Sequence, residues 1–167
     1  MSQSSADPSV PRPVRPSPAH DLLDVFVGRW RTEGRQVGGT IGEEAPIVAE
    51  DRYEWLNGHR FLIHRFTGRV GEADASCIEI IGYDDEKKVY PVQTFYNAGN
   101  TNRWEYRVDG MTWTLSGEWS AAGKSTRVRC TLELGPQGNT MKGTWQQSTD
   151  GGKAWETFWE VHSQRVG

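Results

Sequence analysis

Cysteine is scarce. Cys77 and Cys130 are the only two in 167 residues, they stand 53 positions apart, and neither belongs to a C-x-x-C pair. Thiolate metal clusters therefore have no support, and two buried thiols in a reducing compartment fit better than a disulfide. Long apolar runs are missing as well. None approaches the roughly 18 residues of a membrane helix, and the mean hydropathy is −0.69. No excess of positive charge exists: 19 Lys and Arg stand against 22 Asp and Glu, so nothing marks a nucleic-acid or membrane partner. The motifs G-x-S-x-G, P-loop, H-E-x-x-H and G-x-G-x-x-G do not occur, which removes nucleophile elbows and phosphate cradles. His20, His59 and His64 lack paired metal-ligand spacing.

Residues 1–19 hold five of the eight prolines and no aromatic side chain. This block is expected to be a disordered tail, followed by one domain over 20–167. It has no apolar centre of the kind a secretory signal needs, so a cytoplasmic location is expected. Beyond it the chain is rich in tryptophan (8) and glycine (19), as large packing residues separated by turns require. Leu22, Leu23, Phe26 and Val27 have helical spacing, and Asp21 and Asp24 suit a first turn, so 20–27 reads as a short helix. After it the pattern alternates. Strands are predicted over 28–34, 47–56, 60–67, 76–83, 89–97, 103–108, 111–119, 126–134, 140–147 and 155–165, with hairpin turns at Asn57-Gly58 and Asp109-Gly110 and a bend at Asp150-Gly151. No helical crossover separates them. The expected fold is all-β, an antiparallel up-and-down meander of about ten strands, closed into a barrel that hides its edges.

Alternation sorts the faces. Glu50, Arg52 and Glu54 form a charged outer row, which turns Tyr53, Trp55, Leu62, His64 and Phe66 inward. A two-residue Asn57-Gly58 turn would set Asp51 opposite His64 and Tyr53 opposite Leu62. A hairpin centred on Gly71 would set Phe66 opposite Cys77, His64 opposite Glu79 and Leu62 opposite Ile81. Trp104, Tyr106, Val108, Met111, Trp113 and Leu115 share an inner face. Val128, Cys130, Leu132, Leu134, Met141, Trp145, Trp155, Trp159 and Val161 are likewise expected inside, with Arg127, Arg129, Glu133, Glu156, Glu160 and His162 outside. Over 89–97 either Tyr90, Val92 and Thr94 or Pro91, Gln93 and Phe95 face inward.

Gly28-Arg29-Trp30 after a short helix, a ten-strand meander and an arginine near the end of the last strand together resemble the calycin (lipocalin-like) superfamily. The resemblance implies that Trp30 sits at a closed barrel end and packs against Arg165, a cation–π contact worth about 0.5–2 kcal/mol. Tyr53-Glu54-Trp55-Leu56-Asn57-Gly58, Ile81-Gly82-Tyr83-Asp84 and Ser148-Thr149-Asp150-Gly151-Gly152-Lys153-Ala154-Trp155 resemble a bacterial calycin-type family with no assigned function, over about residues 22–166. A more distant similarity is to nitrobindin-type barrels. Their G-x-W-x-G-x-G is kept only in part, since Thr32 replaces the middle glycine, and their haem-ligating histidine would correspond in place to His162, which parity turns outward.

His64 on an apolar row, flanked by Asp51 and Glu79 on neighbouring strands, is the candidate chemical centre. An imidazole between carboxylates can act as acid or base or orient a ligand; the same row would also serve as a satisfied polar cluster that fixes register. The leading expectation is binding of a small hydrophobic molecule in a lumen lined by Tyr53, Trp55, Leu62, Phe66, Trp104, Tyr106, Trp113, Trp145 and Trp159. A cyclase- or isomerase-type enzyme using His64, Asp51 and Glu79, and a nitrobindin-like haem carrier, are the alternatives. No metal or cofactor is otherwise expected, and a homodimer stays open.

Overall fold

The computed structural model describes residues 16–121 and 123–167. Positions 1–15 of the expected tail lie outside the described residues. A helix, α1 (Pro18–Asp21), and a following 3-10 turn (Leu22–Val25) precede ten strands. Pro18 at the first helical position and Ser17 before it begin the helix; the Ser17 backbone N–H and hydroxyl both lie against His20 Nδ1 at 3.0 and 3.1 Å. The helix thus starts two residues before the boundary that composition suggests. The strands are β1 (Gly28–Gln36), β2 (Ala45–Trp55), β3 (Leu62–Val70), β4 (Ala73–Ile81), β5 (Tyr90–Tyr96), β6 (Thr101–Asp109), β7 (Thr112–Ala121), β8 (Lys124–Leu134), β9 (Thr140–Ser148) and β10 (Glu156–Arg165). Each pairs antiparallel with the next, and β1 pairs with β10, closing the barrel.

Helix and turn plug one end of this barrel. Phe26 packs on Tyr53, Tyr106 and Trp113 at centroid distances of 5.5, 6.1 and 5.0 Å. Trp30 is fully buried and its indole N–H donates to the Phe26 carbonyl at 2.7 Å. The Arg165 guanidinium lies 4.2 Å from the Trp30 ring centroid, as the sequence resemblance implies. It also donates to the carbonyls of Val25 (2.8 Å), Gly138 (2.9 Å) and Val27, joining plug, last strand and the turn before β9. Gly28 has φ +127°, and a Cβ there would sit 2.6 Å from the Gly167 carbonyl oxygen and 2.9 Å from the Arg165 guanidinium. Only glycine accommodates both.

Alternation survives in the strands, and the exceptions have local causes. Asn57-Gly58 is part of a four-residue connection, with Leu56 and Phe61 hydrogen-bonded across it and His59 at φ 52°. The register therefore slips by two residues: Tyr53 is opposite His64, Trp55 opposite Leu62 and Asp51 opposite Phe66. An even slip leaves every side chain on its expected face. The β3–β4 hairpin has the expected pairs Phe66 with Cys77, His64 with Glu79 and Leu62 with Ile81. Over β5, Tyr90, Val92 and Thr94 are the buried set. Met111, expected inside, sits in the turn and is 47% exposed.

A β-bulge between Thr157 and Trp159 accounts for the remaining corrections. The extra residue, Phe158, is buried, while Trp159 stays paired with the inward Trp145. Parity reverses upstream of the bulge. Trp155 accordingly lies on the outer side beneath Arg129, 4.1 Å from its centroid. Glu156 pairs with the buried Gln147 at the rim and accepts hydrogen bonds from the Thr40 hydroxyl (2.7 Å) and backbone (3.2 Å). That contact ties the 37–44 loop to the end of the barrel opposite the plug.

Replacing Arg165 by Met should leave the three carbonyls short of a donor and lower the unfolding free energy by about 2–3 kcal/mol. Urea denaturation checks this; an unchanged midpoint would contradict the capping role.

Candidate functional site

Three buried ionisable side chains meet inside the barrel. His64 of β3 is held from both sides: its Nδ1 is 2.8 Å from Glu79 Oε2 on β4, and its Nε2 is 2.8 Å from Asp51 Oδ1 on β2. Asp51 reaches it diagonally, because Tyr53 occupies the directly opposed position and stacks on the imidazole at 4.0 Å with 2° between the planes. Burial alone would lower the imidazole pKa. The hydrogen bonds and charges of Asp51 and Glu79 outweigh it and lift the value to about 9. At neutral pH the ring is an imidazolium that donates both N–H groups.

The carboxylates are anchored in turn. The Thr32 hydroxyl on β1 donates to Asp51 Oδ2 at 2.5 Å and meets the Ser163 hydroxyl of β10 at 2.7 Å. The Thr94 hydroxyl on β5 donates to Glu79 Oε1 at 2.8 Å. Ser163, Thr32, Asp51, His64, Glu79 and Thr94 therefore form one hydrogen-bonded belt across β10, β1, β2, β3, β4 and β5. Sequence reasoning found its centre and missed its ends. Thr32 and Ser163 have the inward parity of Trp30 and Arg165, and that signal could have identified them.

Aromatic side chains adjoin the belt. Among the described residues, every side-chain nitrogen or oxygen closed off from solvent has a hydrogen-bond partner. Tyr53, stacked on His64, and Tyr106 are only 7% and 5% exposed. Burial, with the charges of Asp51 and Glu79, holds both phenols protonated far above their ordinary range. Burial and the same carboxylates push the Cys77 thiol up to about 12, and burial raises Cys130 well above its ordinary value, so neither is a ready thiolate.

Not all proposed lining residues gather here. Tyr53, Tyr106 and Trp104 are buried around the belt, with Phe66 half-buried beyond it. Trp145 and Trp159 are half-buried toward the end opposite the plug, 6.1 Å apart, with Trp104 6.5 Å from Trp145. Trp113 and Leu62 are closed into the core, Trp113 directly against the plug. Trp55 donates to Asp24 Oδ1 at 2.7 Å and stacks on His59, which makes it part of the plugged end. His162 is exposed opposite Glu33 and Lys142, so a haem in the lumen would find no ligand there. His64 would have to leave a carboxylate to bind iron. The concave surface lined by Arg31, Glu33, His162 and Gln164 belongs to the outer wall.

Comparison with known proteins agrees with the architecture. Residues 15–165 match the family described as "Protein of unknown function (DUF1579)". No curated protein matches the sequence. The crystal structure of Rv2717c from M. tuberculosis is similar at 14% identity and a TM-score of 0.66, covering 90% of this chain and 99% of that one. The S-type phycobiliprotein lyase CPES from Guillardia theta is similar at 12% identity and a TM-score of 0.56, covering 88% and 92%. Such identities speak for a shared barrel.

The belt makes stability depend on pH. The folded pKa of His64 lies above its ordinary 6.5, so the stabilisation is complete below pH 6.5 and is lost as pH rises toward 9. The loss should be on the order of 3 kcal/mol. Urea midpoints of wild type and His64→Gln across this range check it; equal slopes would contradict an imidazolium in the folded state.

Proposed function

The chain belongs to the DUF1579 family, and we propose that it binds a small hydrophobic molecule in the barrel lumen, oriented by the Asp51–His64–Glu79 belt. The observation that carries this reading is the belt itself, three ionisable side chains buried on the inward rows among aromatic ones. Along the inward rows stand Trp104, Tyr106 and Phe66, with Trp145 and Trp159 toward the end opposite the plug, an aromatic set with few polar groups of the kind that holds small molecules. The plug occupies one end, and entry is assigned to the other, past the 37–44 loop whose Ile41 packs against the core. Likeness to a phycobiliprotein lyase is compatible with this reading.

The enzyme reading fits less well. Both imidazole nitrogens are engaged by carboxylates, so His64 has no free nitrogen to present to a substrate, and acid or base chemistry would first need one of the two 2.8 Å contacts to open. Two free thiols and a net charge of −3 support a cytoplasmic carrier or sensor.

Cys77 offers a test of the lumen, since it is half-buried on the inward row of β4 between Phe66 and Tyr96. Nile red should bind the wild-type protein with enhanced, blue-shifted emission. Cys77→Phe, with an unchanged circular dichroism spectrum, should weaken that binding about tenfold or more by occupying the space. Equal binding by both proteins would place the dye elsewhere and contradict the proposal.

A further inference from the structure

Resting on the lumen-binding reading, we propose that the ligand is a cation, a hydrophobic molecule carrying a protonated amine, and that the belt is its counter-charge. The belt holds two carboxylates against one imidazolium, and its remaining members, Thr32, Thr94 and Ser163, are neutral. One negative charge is left over in a place where Asp51 is 8% and Glu79 7% exposed. Buried charge is costly unless matched.

The other charged groups of the inward rows do not match it. Arg165 has its guanidinium committed to the carbonyls of Val25, Val27 and Gly138 and to the face of Trp30 in the plugged end. Glu156 at the rim is a further carboxylate, held ionised by its bonds from Thr40. An ammonium entering from the end opposite the plug would meet negative charge at the rim and again at the belt.

The neutral groups agree in sign. The Tyr53 and Tyr106 hydroxyl oxygens are able to accept N–H bonds. A carboxylate ligand would bring a like charge into the same low-dielectric space and should be rejected.

Isothermal titration at pH 7 with three probes of one shape tests this: 1-naphthylmethylammonium, 1-naphthylmethanol and 1-naphthylacetate. The ammonium should bind about tenfold or more tightly than the alcohol, with the acetate weakest. Glu79→Gln, which balances the belt's charge, should shrink the gap between ammonium and alcohol. Should alcohol or acetate bind as tightly as the ammonium to the wild-type protein, the cation assignment falls while lumen binding stands. If none of the three binds, both fall.

Discussion

An imidazolium clamped between two carboxylates inside a β-barrel is the constraint from which the rest of the structure follows. Neither acid can be buried unpaired, and His64 would lose its charge on burial without them. The three must therefore be brought within hydrogen-bond reach, and only one register of β2, β3 and β4 does so with Tyr53 stacked over the ring. Thr32 and Thr94 complete the carboxylates' shells, and through Ser163 the chain of hydrogen bonds crosses the β1–β10 seam where the sheet closes. A network of this kind ties together strands distant in sequence: Ser163 and Thr32 are 131 positions apart. It makes register a matter of electrostatics as well as of packing.

The plugged end is built next to the same rows. Trp30 precedes Thr32 by one inward step on β1 and stands opposite Asp51 on one side and Arg165 on the other. Fixing Trp30 by its bond to Phe26 and by the guanidinium above it thus sets the position of the strand that feeds the belt. One end is consumed by packing, which leaves the polar belt as the floor of the other. Structural and chemical halves of the barrel are arranged along the same strands, separated by a single alternation.

Much of this was legible because a strand has a period of two. Charged Glu50, Arg52 and Glu54 turned His64 and its neighbours inward, and a hairpin centred on Gly71 put His64 opposite Glu79. What could not be read was anything that adds a residue. The connection after Asn57-Gly58 is two residues longer than the dipeptide suggests, which moved Asp51 from opposite His64 to a diagonal without changing its face. The bulge at Phe158 added one residue, and an odd insertion exchanges faces, so Trp155 and Glu156 traded sides. Turn length and bulges depend on how the sheet must curve to close, a global requirement that local sequence does not carry. The distinction between lining and plug was hidden for the same reason: Trp55 and Trp113 have the inward parity of Tyr106, but the helix arrives over them.

The charge state of His64 decides the stability of the belt and how much negative charge remains in it. Nitrogen NMR of the imidazole rings, with His64 assigned by its absence in His64→Gln, measures that state directly. At pH 7 both His64 nitrogens should show protonated shifts, with titration centred near pH 9. A neutral tautomer at pH 7, titrating at or below the ordinary histidine value, would contradict the account.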